Sequence, residues 1–218
     1  MPRLLLINRR PDERRVALIE NGITTELFFE KVRDQSVIGN IYKGRVVRVL
    51  PGMQSAFVEV GLSRAGFLFV ADAVPPEEPE IRADSDDPED GDDQEKPARA
   101  RQYPPIQSLI RPGQELLVQV VKAPIASKGA RVTTNVTLPG RQMVLVPGGQ
   151  TVGVSRRITT DAERDRLREL AEAHRPEGMG LIVRTVARGA TSAEIADDVA
   201  FLTHAWEEVQ KRVAVATA

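Results

Sequence analysis

The side chains with most scope for chemistry gather between Asn40 and Val70 of this 218-residue chain. Ile41, Lys43, Arg45, Val47 and Val49 alternate with Tyr42, Gly44, Val46, Arg48 and Leu50, so apolar and basic groups share a strand of period two. Pro51-Gly52 marks a turn, and Ala56–Val60 and Gly66–Val70 read as the next two strands. Short strands, glycine corners, and Lys and Arg mixed with Tyr and Phe suggest a small closed barrel that binds single-stranded nucleic acid. Rings there stack on bases and cations follow phosphates. Tyr42, Lys43 and Arg64 are the candidates this pattern supplies. The same composition fits a barrel whose rings are all core, and Tyr42 suits either role.

Other chemical residues carry less. Asp197 and Asp198 are neighbours on an expected helix, where successive side chains diverge by ~100°, so they do not converge on one metal. His174 and His204 lie on separate expected helices without ligand partners and read as structural or surface residues; Trp206 reads as helix-packing core. Asp86-Asp-Pro-Glu-Asp-Gly91 lacks EF-hand spacing, and Pro97 stands where the bidentate Glu belongs, which argues against a calcium loop. With no cysteine, disulfides and thiolate zinc sites are excluded, and the composition fits a reducing cytoplasm. No catalytic constellation and no metal site is read.

The elements that position these residues follow from periodicity. Residues 3–8, 13–19 and 23–30 read as three strands, with Asn21-Gly22 supplying the tight hairpin between the last two. Three strands without a covering helix leave an apolar face exposed. The barrel occupies 36–74 and resumes with strands at 113–122 and 129–137. Thereafter Arg141–Pro147 and Gly180–Thr185 read as strands. Thr160-Asp-Ala-Glu163 and Thr191-Ser-Ala-Glu194 read as capping boxes opening two helices. The second helix places Ile195, Val199, Leu202, Trp206 and Val209 on one stripe. Two strand–helix pairs make a compact α+β unit.

Net charge is −1, but the charge is uneven. Residues 76–95 hold 11 acids and one base; setting them aside leaves 29 basic and 20 acidic residues, a net of +9. The acidic, proline-rich stretch at about 75–105 cannot bury enough apolar surface to order itself and is expected to be mobile. No apolar run reaches the ~18 residues of a membrane span, and the N-terminal run is too short for a signal peptide.

The wording of several segments is specific. Gly39-Asn-Ile-Tyr-Lys-Gly44, Leu50-Pro-Gly-Met-Gln-Ser-Ala-Phe-Val-Glu-Val60, Gly66-Phe-Leu68, Ser127-Lys-Gly-Ala-Arg-Val-Thr-Thr134, Leu138-Pro-Gly140, Gly153-Val-Ser-Arg-Arg-Ile158 and Gly178-Met-Gly-Leu-Ile-Val-Arg-Thr185 resemble, in order, the ribonuclease E/G family of bacterial endoribonucleases. The resemblance implies an α+β architecture in three parts. Residues 1–35 correspond to part of an RNase H-like sheet, 36–137 to an S1-like OB barrel containing the acidic loop, and 138–218 to an α+β 5′-sensor. It carries over Phe57, Phe67 and Lys128 as RNA contacts. It also implies that Arg184 and Thr185 grip a 5′-monophosphate, with Gly140 and Val144 at the terminal-nucleotide pocket and Arg156 close by. An adjacent guanidinium and hydroxyl suit a dianionic phosphate; without the resemblance, Arg184 is an ordinary arginine at a strand end.

The partner implied is single-stranded RNA, preferably 5′-monophosphorylated, in a cytoplasmic enzyme of RNA processing and decay that assembles into oligomers. The family's magnesium-binding aspartates and its Cys-Pro-x-Cys zinc link lie in later domains, and neither stretch occurs in these 218 residues. The chain alone is therefore expected to bind RNA without cutting it and to hold no cofactor. Two readings of other classes stand beside this one: a stand-alone RNA-binding adaptor, and a structural protein with a vestigial barrel.

Overall fold

A computed structural model describes residues 3–31, 36–75, 103–125 and 128–218. The acidic run at 76–95, its expected mobility and the calcium reading of 86–97 fall outside the described residues. The chain divides into two compact units, Met1–Ile38 and Gly39–Ala218.

The first unit is an antiparallel meander of β1 (Arg3–Arg9), β2 (Glu13–Glu20) and β3 (Ile23–Lys31). Asn21 and Gly22 both take positive φ, 51° and 80°, as the expected hairpin requires. Strand β1 is apolar on both faces: Leu4 and Leu6 lie opposite Ile19 and Ala17, Leu5 and Ile7 opposite Leu18 and Val16. That is the pattern of a strand covered on both sides, yet Ile7 is 70% and Phe29 61% exposed. The sequence predicts one open apolar face; the described residues leave two.

In the second unit, β4 (Ile41–Leu50), β5 (Ser55–Glu59), β6 (Gly66–Phe69), β7 (Glu115–Lys122) and β8 (Arg131–Thr133) close into a barrel in the order β4-β5-β6-β8-β7. Only the β6–β8 pair is parallel. This is the Greek-key closure of an OB barrel. Val46, Ala56, Val58, Leu68, Val118, Val120 and Val132 fill the interior, each essentially inaccessible. The short helix α1 (Ile106–Leu109) adds Ile106 to the buried set, and its Ile106 N–H donates to the Gln54 side-chain carbonyl at 3.1 Å. Strand β8 stops short of the expected Thr137. Thr134 N–H and the hydroxyls of Thr133 and Thr134 all turn to the Asp72 carbonyl at 2.9–3.0 Å, which draws the chain out of the ladder.

Beyond the barrel, β9 (Leu138–Pro139), β10 (Met143–Pro147), β11 (Val152–Val154) and β12 (Met179–Val183) form a sheet in the order β11-β12-β10-β9. Helices α2 (Asp161–His174) and α3 (Ser192–Val215) pack on it. Met143, Leu145, Leu181 and Val183 meet Leu167, Ile195, Val199, Leu202 and Trp206 in one core, against which Ile41 and Leu117 of the barrel also pack. The predicted stripe on α3 is the buried one, Trp206 included. Strands β9 and β11 are too short to register as periodic patterns in the sequence. The architecture is α+β with a closed five-stranded barrel, as the sequence implies.

The two expected capping boxes differ. At Thr191 the box is complete: Glu194 N–H donates to the Thr191 hydroxyl at 3.3 Å, and Thr191 N–H to the Glu194 carboxylate at 2.9 Å. At Thr160 the side chain makes no cap bond. Glu163 instead accepts two bonds from the Arg166 guanidinium at 2.8 Å and one from Gly189 N–H at 2.9 Å. A bidentate guanidinium plus an amide outcompetes the single amide of a capping box. These contacts, Arg166 foremost, lower the Glu163 pKa to about 2.

Candidate nucleic-acid interface

In an OB barrel the second and third strands and the loops beside them form the face that takes oligonucleotides. Here those strands are β5 and β6. Their inward residues Ala56, Val58 and Leu68 are fully buried, so alternation turns Phe57 and Phe67 outward. The two rings are direct cross-strand partners, 6.0 Å apart at 65° in edge geometry. Register extends the row on both sides: Arg48 lies opposite Phe57, and Arg131 opposite Phe67. The outward face therefore reads Arg48, Phe57, Phe67, Arg131 across four strands. Residues directly opposite one another share a side of the sheet, so stacking surface is bracketed by guanidinium groups. Arg131 is steadied by the buried Asp72 carboxylate at 2.9 Å.

Arg48 and Arg131 escaped the sequence reading. A β-bulge between Val46 and Arg48 shifts the register, so that Val46 faces in and Arg48 faces out. No alternation count across this strand reveals that.

Lys128 and Arg64 reach the same region through loops. Phe67 N–H donates to the Ala130 carbonyl at 2.7 Å. A Cβ at Gly129 would overlap the Ala65 carbonyl, so a glycine is needed where these two loops touch. Lys128 and Arg64, both exposed, flank the start of β6. Tyr42 and Lys43 lie elsewhere. Tyr42 is half-buried opposite Val118, its hydroxyl accepting from Asn40 at 3.0 Å. Lys43 donates to the Ala216 carbonyl at 2.7 Å, beside the C-terminal end of α3, and pairs with Glu115 at 3.3 Å. Arg48 lies five positions beyond Lys43 in β4, roughly 17 Å along a strand.

The second group of candidates sits where β12 ends. Arg184 N–H donates to the Gln142 carbonyl at 2.8 Å, and its Nη1 donates to the Gly140 carbonyl at 2.7 Å. Arg184 is thus fastened twice to the turn between β9 and β10. Thr185 Oγ1 lies 2.8 Å from Ser155 Oγ, next in sequence to the exposed Arg156. Arg184, Gly140 and Thr185 are brought together with Arg156 at their margin. The Val144 side chain is fully buried with Val146 and Ile182, and register sets Val144 directly opposite Ile182, two residues before Arg184. Arg184 also lines an open cleft of about 420 Å³ with Arg141, Gln142, Arg188 and Glu194. Three guanidiniums face one carboxylate there, and Glu194 is held ionised, its pKa lowered first by the Thr191 N–H. Arg141 and Arg188 were not singled out by the sequence.

Asp197 and Asp198 do not fit a shared magnesium ion. Asp197 is exposed, whereas the Asp198 carboxylate accepts backbone N–H groups of Arg141 at 3.0 Å and of Gln142 and Met143 at 2.8 Å. His174 bonds Ser192 at 2.9 Å and His204 lies near Glu207 on the same helix, in line with structural and surface roles. Among the described residues no helix is long and apolar enough to cross a membrane.

The barrel's strand order and its outward row place this chain among the OB-fold proteins. Comparison with known sequences narrows the class. The model of the Ribonuclease E/G family matches residues 137–218. Ribonuclease G of Escherichia coli (strain K12) is 45% identical over 208 residues, 95% of this chain and 40% of that protein. Ribonuclease G of Haemophilus influenzae is 43% identical over the same shares. Ribonuclease E of Nostoc sp. is 42% identical over 80% of this chain and 22% of that protein. The chain belongs to the ribonuclease E/G family. It spans 40% of the length of the ribonuclease G relatives it matches.

Proposed function

We propose that this chain recognises single-stranded RNA on its barrel and reads the 5′-monophosphate of that RNA at the Arg184–Thr185 end of β12, as the substrate-recognising part of a ribonuclease E/G endoribonuclease. The observation that carries the first half is the row Arg48, Phe57, Phe67, Arg131, set by register on the face that OB barrels use. Rings take bases of any sequence and guanidiniums take the phosphates between them. The second half is supported by Arg184, whose guanidinium is aimed by the Gly140 carbonyl into a cleft rich in arginine. The relatives bear the printed name ribonuclease, which fits RNA as the polymer recognised.

The test is direct binding of a short unstructured oligoribonucleotide by fluorescence anisotropy. Phe57→Ala weakens binding by ~1–3 kcal/mol, since each stacked base is worth about that much. It does so equally for RNA with a 5′-monophosphate and RNA with a 5′-hydroxyl, because stacking is blind to the 5′ end. Unchanged affinity of Phe57→Ala and Phe67→Ala refutes the barrel face as the binding surface.

A further inference from the structure

We infer that Asp198 is the positioning residue of the 5′-phosphate site: its carboxylate holds the turn that aims Arg184. The inference rests on the 5′-end reading proposed above. It starts from a helix that touches no candidate ligand residue by sequence. Asp198 lies on α3, between the buried positions Ile195 and Val199 that fasten this helix to the sheet. Its Oδ2 accepts the N–H groups of Gln142 and Met143, each at 2.8 Å, and its Oδ1 accepts that of Arg141 at 3.0 Å. Three consecutive backbone N–H groups converging on one anion form a nest, a concavity suited to anions. Here the protein's own carboxylate occupies it.

The same turn presents its carbonyls to Arg184. Gly140 C=O accepts from Nη1 at 2.7 Å and Gln142 C=O from the Arg184 N–H at 2.8 Å. The turn is therefore gripped through its N–H groups by α3 and in turn grips Arg184 through its carbonyls. Gly140 fits this account in a second way. A Cβ there would lie 2.7 Å from both oxygens of Asp198, closer than real Cβ contacts allow. The glycine leaves the space through which the carboxylate reaches the turn. Asp198 itself touches no ligand. Occupying the nest, it leaves the phosphate to the side chains of Arg184 and Thr185 rather than to the 141–143 amides.

The closing experiment pairs two readouts on the 218-residue chain. Amide hydrogen exchange without RNA reports the clamp itself. Competition binding of one oligoribonucleotide carrying either a 5′-monophosphate or a 5′-hydroxyl reports its consequence. Asp198→Asn keeps the shape but leaves one acceptor oxygen for three donors. It is expected to speed exchange at Arg141, Gln142 and Met143. It is also expected to cut the 5′-monophosphate preference by about 2- to 12-fold, the worth of one hydrogen bond, while affinity for 5′-hydroxyl RNA stays at the wild-type value.

Gly140→Ala is expected to cut the preference as well, by pushing the carboxylate off the turn. In Gly140→Ala/Asp198→Ala the methyl group has room, so the double variant loses no more than Asp198→Ala alone, a non-additivity that general destabilisation does not produce. Faster exchange with an unchanged preference overturns the positioning role, and so does equal weakening of both RNAs. Additive losses overturn the Gly140 part. A wild type without preference overturns the 5′-end reading and this role with it, and the exchange data then show whether the clamp exists in its own right.

Discussion

Replacing Arg184 with lysine separates charge from geometry. Arg184 spends one donor on the Gly140 carbonyl at 2.7 Å, and that bond fixes the plane of the whole guanidinium. A phosphate in the cleft then meets a preset planar fork. Lysine keeps the charge, but its ammonium is a point with no plane, and holding Gly140 leaves it no second edge to offer. The loss corresponds to one charge-assisted hydrogen bond, ~1.5–3 kcal/mol. At ~1.4 kcal/mol per decade, the ratio of 5′-monophosphate to 5′-hydroxyl affinity falls by about 10- to 150-fold. Because the charge remains, the lower end of that range is expected. Thr185→Val removes a neutral hydroxyl 2.8 Å from Ser155 and costs less, about two- to twelvefold. The assay is competition binding at one fixed salt concentration. If Arg184→Lys weakens both RNAs equally, Arg184 contributes only general electrostatics and the aimed-fork reasoning is wrong.

Three more outcomes are expected. Deleting residues 76–95, which hold 11 acids and one base, tightens RNA binding most at low salt, because exposed charges are screened beyond ~10 Å at 0.1 M; equal affinity of deletion and parent chain in low-salt titrations rules this out. Glu163 has its pKa lowered from 4.5 to about 2, so its stabilising contribution is complete above about pH 4.5 and is lost as pH falls through 2. Melting curves of wild type and Glu163→Gln should therefore differ at pH 5 and converge towards pH 2, and a gap that widens on acidification contradicts the assignment. Leu68→Ala empties a fully buried barrel position and lowers unfolding free energy by ~2–5 kcal/mol, measured by urea denaturation; a loss under ~1 kcal/mol would mean the barrel interior collapses around the gap.

Elements with strong periodicity were legible in the sequence. The α3 stripe from Ile195 to Trp206 is buried as read, and Asn21-Gly22 turns the hairpin it announces. Phe57 and Phe67 share one outward face, though only register could add Arg48 and Arg131 to it. Three features failed to show for physical reasons. Thr160-Asp-Ala-Glu163 spells a capping box, but Glu163 has a better partner in Arg166, three residues on, and another in Gly189, which only folding brings near. Lys43 and Tyr42 match a binding pattern, yet β4 carries them to the α3 end of the barrel and to a position facing Val118. Asp198 looked like half of an idle acidic pair, because the amides it holds are more than fifty residues away in sequence.

The bulge in β4 has a bearing on how this strand tolerates change. Val47 is 54% exposed, and its side chain is open to substitution. Its presence is another matter. Deleting it leaves Val46 opposite Val58 and Arg48 opposite Phe57, now neighbours in unbroken alternation, so both keep their faces. What the extra residue supplies is the bend and added twist of the strand at that point. Loops absorb added length at little cost. At Val47 the added length goes into the course of β4 round the barrel, while the side on which Arg48 lies is set by its pairing with Phe57.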